Sequence, residues 1–482
     1  MDKKELTSRE KRRRRRIRSQ IAAYLTLVIV VGALTTGAVI GIKALIQHMN
    51  QYNDKVAEAL QEAETNVEHE TAVIESSTAE DVTQEAEPED NPLDELVDAL
   101  LQDMTLEEKV AGMFMVTPES ITGVGKAVQA GEGTKNALTE NPVGGLLYSS
   151  ANYQSDNQFL EMMTNTRSYS KYPLFLAVRA ECGDNIGFGI ESTAKASELT
   201  DTDSVREAYG AIATKLAAFG INMDLAPVAD IVSEQGNSSL QGRTFGSDGA
   251  TAVPLVNAAV QSLQEREVSA VLLTFPGEGA VTDGKVSKSL EEMKNSDFLT
   301  FQSAIQNGAD CIMVSNVSAP EITGDDTPCS LSGTMITDVL RGTLGYNGIV
   351  MTDMLGDSAI TARYSDGDAA VAAIVAGADI LLCPADFSKA YQGVLDAVSA
   401  GTITEERIQE SLYRIYRVKY KNSMDEYMCD RSFVMKNALG WKKGAFLLAI
   451  CCFVLGPWTC CVQTESVVNS LKEGKRFILG CC

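Results

Sequence analysis

Eight short apolar runs, bounded by Gly, Pro or Asp, constrain the fold of this chain more than any other feature. They cover residues 113–116, 145–149, 174–178, 221–228, 268–275, 311–317, 348–351 and 379–383. Continuous apolar runs of this length, without polar alternation, suit strands covered on both faces, as in parallel sheets. Between the later runs lie amphipathic helical stretches at 204–219, 252–265, 298–307, 335–344, 369–376 and 391–398. Strands with interposed helices over about 330 residues predict an α/β chain folded as a (β/α)8 TIM-like barrel. A doubly wound open sheet is the main rival. It asks for a Gly-rich phosphate turn after an early strand, and none is evident.

The flanks do not share this pattern. Residues 1–18 hold ten Lys/Arg against three Asp/Glu, and residues 21–42 are uncharged. A helix of 22 residues rises about 33 Å, enough to cross a bilayer core. The expectation is a basic cytoplasmic tail (1–20), a transmembrane helix (21–46) and everything after it outside the cytoplasm, because basic flanks stay inside. A cleaved signal peptide is the alternative, but the stretch is long for one and no clear A-x-A site follows. Residues 47–92 are rich in Glu, Ala, Thr and Ser and are expected to form a disordered acidic stalk. The barrel is assigned to 93–424. A Cys-rich tail, 425–482, contains a 19-residue uncharged run at 444–462 that fits a second membrane segment and an unfolded tail equally.

Composition narrows the function. A net charge of −24 argues against a nucleic-acid partner, since phosphate binding needs clustered Lys and Arg. Eleven cysteines show no metal-spaced pair, so neither a metal nor a cofactor is expected. The four in the barrel, Cys182, Cys311, Cys329 and Cys383, suit small buried apolar positions. Both histidines, His48 and His69, precede the barrel.

Polar residues at the C-terminal ends of barrel strands line the active-site mouth. Those positions hold Arg179 and Glu181, Asp224 and Asp230, Thr274, Asn316 and Asp353. For a single Asp in such a place, capping a helix is the commoner role.

Seven segments, in order, carry a resemblance. They are Thr105-Leu-Glu-Glu-Lys-Val, Asn141-Pro-Val-Gly-Gly-Leu-Leu-Tyr, Gly220-Ile-Asn-Met-Asp-Leu-Ala-Pro-Val-Ala-Asp and Gly242-Arg-Thr-Phe-Gly. Phe275-Pro-Gly-Glu-Gly, Leu340-Arg-Gly-Thr-Leu-Gly-Tyr-Asn-Gly-Ile-Val-Met-Thr-Asp and Ala376-Gly-Ala-Asp-Ile-Leu-Leu complete the set. Over about 93–424 the chain resembles family 3 glycoside hydrolases, in the single-barrel β-N-acetylglucosaminidase (β-N-acetylhexosaminidase) branch. The resemblance implies hydrolysis with retention, Asp353 as nucleophile and Arg243 as a substrate-site arginine; a structural salt bridge is the plainer role for Arg243.

The departures from the family pattern cluster where the sugar would sit. Arg179, in Arg179-Ala-Glu-Cys-Gly, replaces the sugar-binding Asp of Asp-x-Glu-Gly-Gly, with Glu181 kept. Leu273-Thr274 replaces a Lys-His pair, and Glu278 replaces the His of Phe-Pro-Gly-His-Gly. The acid/base pair, an Asp and a His two residues on, is Asp283-Gly284-Lys285 here. General acid/base catalysis supplies about 10²–10⁴-fold, and a Lys with pKa near 10.4 is poorly matched to that task. The stem-like anchor and Gly-rich, cysteine-poor barrel suit a bacterial surface, and the resemblance, with these departures, implies a glycosidase of weakened or altered activity. Its carbohydrate would be a GlcNAc-containing glycan such as a peptidoglycan fragment, with Glu278 as substitute acid or as an exposed loop residue. The alternative is a catalytically silent module binding glycan or a partner.

Overall fold

The computed structural model describes residues 91–232 and 236–421. The expected basic tail, membrane helix, stalk and Cys-rich tail lie outside them, apart from the last residues of the stalk. Among the described residues no helix is long and apolar enough to cross a membrane.

The eight runs form eight parallel strands: β1 Phe114–Val116, β2 Gly145–Leu147, β3 Phe175–Val178, β4 Met223–Asp224, β5 Ser269–Phe275, β6 Cys311–Val314, β7 Ile349–Thr352 and β8 Leu381–Leu382. Their spatial order is β7-β6-β5-β4-β3-β2-β1-β8. A parallel bridge between Met351 and Ile380 joins the two ends, with the Thr352 N–H donating to the Ile380 carbonyl at 3.0 Å. Of all the strand residues only Thr274 is not fully buried, which is why the runs lack polar alternation.

Several strands stop short of their apolar runs. β4 is the extreme case, because Pro227 has no N–H to offer a ladder. Its chain nevertheless stays extended, and the Leu273 N–H donates to the Pro227 carbonyl at 3.0 Å. Residues past the strand ends then turn inward or outward individually, and they build the mouth. Close packing at the other end needs glycine: a Cβ on Gly144 would stand 2.0 Å from the Gly112 carbonyl oxygen.

Four of the expected helices begin two to four residues before the apolar periodicity does. Asp201, Asp248, Ser365 and Asp386 cap Thr202–Phe219, Gly249–Gln264, Asp366–Ala376 and Phe387–Ser399, each accepting backbone N–H bonds. First turns are polar, so periodicity alone starts late. Thr334–Thr343 is helical as expected but wound more widely, its Leu344 N–H reaching Val339 at 2.9 Å.

The last helix, Glu405–Lys421, ties the strand entrances together. Lys419 Nζ donates to the Gly144 carbonyl at 2.8 Å, before β2, and sits 4.6 Å and 5.0 Å from the ring centroids of Tyr416 and Phe175. Before β8, the fully buried Asp379 accepts from Arg341 (2.7 Å), Arg414 (3.0 Å) and Ser411 (2.6 Å) and from the Val350 N–H (2.9 Å). Cys182, Cys311 and Cys329 are buried, and Cys383 is half-buried.

Candidate active site

A cavity of about 530 Å³ opens at the C-terminal ends of the strands. Arg179, Arg243, Thr274, Glu278 and Asp353 all line it, together with Glu119. Five of the residues expected from sequence therefore meet in one place.

Asp353 is the first residue past β7. Its backbone N–H is held by the Val314 carbonyl at 2.8 Å, and its Oδ1 accepts from the Met354 N–H at 2.7 Å. Burial pushes its carboxyl above the ordinary value, against the opposing Met354 N–H. Glu278, two residues beyond Pro276, shares the cavity. Ser315 donates its hydroxyl to Glu278 Oε1. Burial raises the Glu278 carboxyl, and the negative charge of Asp353 adds to the effect, against Ser315, Arg243 and Arg179. Glu278 is thus a cavity residue and not an exposed loop Glu.

Asp230 holds this arrangement from behind. It accepts from the Thr274 N–H (2.8 Å), the Thr274 hydroxyl (2.9 Å) and the Glu278 N–H. Burial pushes its carboxyl up to about 7, with the Glu278 charge contributing. The Thr274 hydroxyl, though at the cavity wall, is committed to Asp230.

Across the cavity, Glu181 accepts two bonds from Arg243, through Nε and Nη2, each 2.7 Å, and one from Arg179 Nε at 2.7 Å. Burial opposes its ionisation, but the two guanidiniums win and hold the carboxyl below its usual range. Arg243 therefore makes the structural ion pair and lines the cavity at once. Behind them the buried Asp224 accepts from the Ala180 N–H at 2.8 Å, while its Oδ2 has no partner among the described residues. Burial holds that carboxyl well above the usual range. It fixes the backbone between Arg179 and Glu181 without lining the cavity.

Three expected residues fall elsewhere. Asn316 is a brace: its amide donates to the Met354 carbonyl at 2.8 Å and accepts from Ser330 at 2.6 Å, steadying the turn after Asp353. Asp283 and Gly284 form a tight turn with positive φ (51° and 73°), closed by two 3.0 Å bonds between Thr282 and Lys285. The Ser318 N–H donates to the Gly284 carbonyl at 3.0 Å, and Lys285 Nζ pairs with Asp326 at 2.7 Å. Neither Asp283 nor Lys285 lines the cavity.

Two contributors went unmarked in the sequence. Ser315 directly follows β6, so the strand-end rule that singled out Asn316 could have found it. Glu119 lies on the short helix after β1, its Oε1 accepting from the Ala127 N–H (2.8 Å) and the Asn152 amide (2.6 Å), and it had no local signal. Among the described residues no cluster of His, Cys, Asp and Glu suits a metal ion.

Known proteins share this architecture. A secreted glycosyl hydrolase of Arthroderma benhamiae, itself uncharacterized, is 30% identical over 309 residues, 59% of this chain and 87% of that protein. The β-hexosaminidase of Tolumonas auensis is 29% identical over 265 residues, 52% of this chain and 77% of the relative. The solved family 3 β-N-acetylglucosaminidase of Paenibacillus sp. str. FPU-7 superposes with a TM-score of 0.62 at 29% identity, over 67% of this chain and 63% of that one. The profile of the glycosyl hydrolase family 3 N-terminal domain matches residues 105–418, and the chain belongs to that family.

Proposed function

We propose that the barrel is a retaining β-glycosidase of the N-acetylhexosaminidase type, in which Asp353 attacks the anomeric carbon and Glu278, in place of a histidine, moves the proton. The observation carrying this is that Glu278 and Asp353 line one cavity, in which burial raises the Glu278 carboxyl and the charge on Asp353 adds to the effect. The names of the Tolumonas and Paenibacillus relatives support N-acetylglucosaminides as the substrate class.

The two carboxyls would act in sequence. Ionised Asp353 forms a bond to the anomeric carbon as the glycosidic C–O bond breaks, and protonated Glu278 gives its proton to the departing oxygen. The ester on Asp353 carries no charge, so its part in raising the Glu278 carboxyl disappears. Its carboxylate is then suited to take a proton from water as water attacks the same carbon and releases the sugar. Ser315 holds one oxygen of Glu278, leaving the other to carry the proton.

A second reading rests on the Asp283-Gly284-Lys285 turn, which is pinned away from the cavity: the barrel would bind glycan or a partner without turning it over. An aryl β-N-acetylglucosaminide offered to the full chain separates the two. The enzyme reading expects turnover that Asp353→Ala abolishes, and Glu278→Gln to lose about 10²–10³-fold on poor leaving groups. Equal, negligible rates in all three proteins would leave only the binding role. A secreted relative and the uncharged stretch 21–42 support a barrel held outside the cytoplasm by a helix at 21–46.

A further inference from the structure

We propose that the cavity is built for a sugar bearing an acidic group, a carboxylate or a phosphate, on the part of its ring remote from the anomeric carbon, and that Arg179 receives that group. This rests on the reading of the cavity as a sugar site.

Arg179 and Asp353 are each the first residue past a strand, β3 and β7, and those strands are four apart in a ring of eight. They therefore face each other across the mouth, and both line the cavity. A sugar with its anomeric carbon at Asp353 directs the far side of its ring toward Arg179. There the guanidinium is half-exposed and tethered only through Nε to Glu181. Among the described residues neither of its terminal amino groups has a hydrogen-bond acceptor, whereas Arg243 commits Nε and Nη2 to Glu181 and Nη1 to the Ser239 carbonyl (3.0 Å).

A ligand that enters strips water from those free amino groups. A hydroxyl gives them one acceptor, while a carboxylate or phosphate accepts two parallel bonds and matches the charge. The acidic wall does not cancel this preference. Asp353 lies on the opposite strand, burial raises the Glu278 carboxyl, and the Glu119 oxygen is already bonded to Ala127 and Asn152. Glu181 is shared by two guanidiniums, so a further anion at Arg179 meets a cation only partly neutralised.

Calorimetric titration of the full chain with N-acetylglucosamine, N-acetylmuramic acid and N-acetylglucosamine 6-phosphate tests the proposal without needing turnover. At least one acidic sugar is expected to bind about ten-fold or more tightly than the neutral one, with the margin shrinking as salt is raised. A gain for muramic acid alone identifies a carboxylate, and for the 6-phosphate alone a phosphate. Arg179→Ala should cut the margin to about two-fold or less, and Arg179→Lys should keep part of it, since Lys retains the charge without the fork. Equal affinities in the unaltered chain, or a margin that survives Arg179→Ala, would overturn the proposal. Hydrolysis of neutral aryl glycosides with no acidic preference would sink this inference and leave the glycosidase standing; binding of no sugar would remove both.

Discussion

At the end of the barrel where the strands begin, a buried aspartate is fully answered; where they finish, the half-buried Asp353 and Glu278 have fewer donors. Asp379 has Arg341, Arg414, Ser411 and the Val350 N–H around it. At the mouth, Asp353 accepts from the Met354 N–H and Glu278 from the Ser315 hydroxyl, and both are raised by burial. Desolvating a charge costs several kcal/mol unless it is matched. The matched end holds its shape. At the other end burial raises carboxyls that few donors answer, the setting in which the proposed proton transfer would take place.

The largest test of this contrast is Asp353→Ala. Turnover of an aryl glycoside should fall at least about 10³-fold, while urea unfolding shows stability unchanged or about 1 kcal/mol higher, because a half-buried carboxyl with few donors is gone. Asp379→Ala should behave in the opposite way. Arg341, Arg407 and Arg414 lose their shared anion, and unfolding free energy should drop by about 3–5 kcal/mol with little change in kcat per folded molecule. If both substitutions cost stability alike, the two ends do not differ as described.

A smaller effect concerns pH. The proposed mechanism needs Glu278 protonated, so kcat/KM should decline as pH rises through its elevated pKa, and Glu278→Gln should lose that limb. Arg179 stabilises the ionised form of Glu278, so Arg179→Ala should move the limb to higher pH. An unmoved limb would mean that another group titrates.

The smallest expected effect lies at the strand entrances, where burial pushes Lys419 down to about 7. A folded-state pKa below the unfolded one makes the stability contribution present above the unfolded pKa and lost as pH falls through the folded one. Melting temperature should therefore climb between about pH 7 and 10, and Lys419→Met should flatten the climb. An equal slope in the variant would mean that the two flanking rings keep the ammonium charged.

Much of the barrel was legible. Each strand lies within its apolar run, save that β7 runs one residue past it to Thr352, and each expected helix appears, because burial on both faces or one face leaves a period that can be read within a dozen residues. The caps that extend the helices, such as Asp201 and Ser365, were equally local signals. At the site, Asp353 and Arg243 were legible through their motifs, and both reach the cavity. Thr274 and Asn316 occupy strand-end positions that look identical in sequence, yet one hydroxyl turns back to Asp230 and one amide turns under Met354. The direction a side chain takes past a strand end depends on which acceptor stands nearby, and that acceptor comes from another strand.

The chain alone determined eight buried strands, the helices between them and a mouth lined by the residues that end them, since hydrophobic spacing acts over short stretches. Only the tertiary structure decided what those residues face. Lys285 is drawn off by Asp326 and by backbone pairing with Ser318, and Glu278 is drawn in by Ser315 and Asp230. These are through-space contacts between segments dozens of residues apart, and they fix charge and proton affinity in ways that no local pattern encodes.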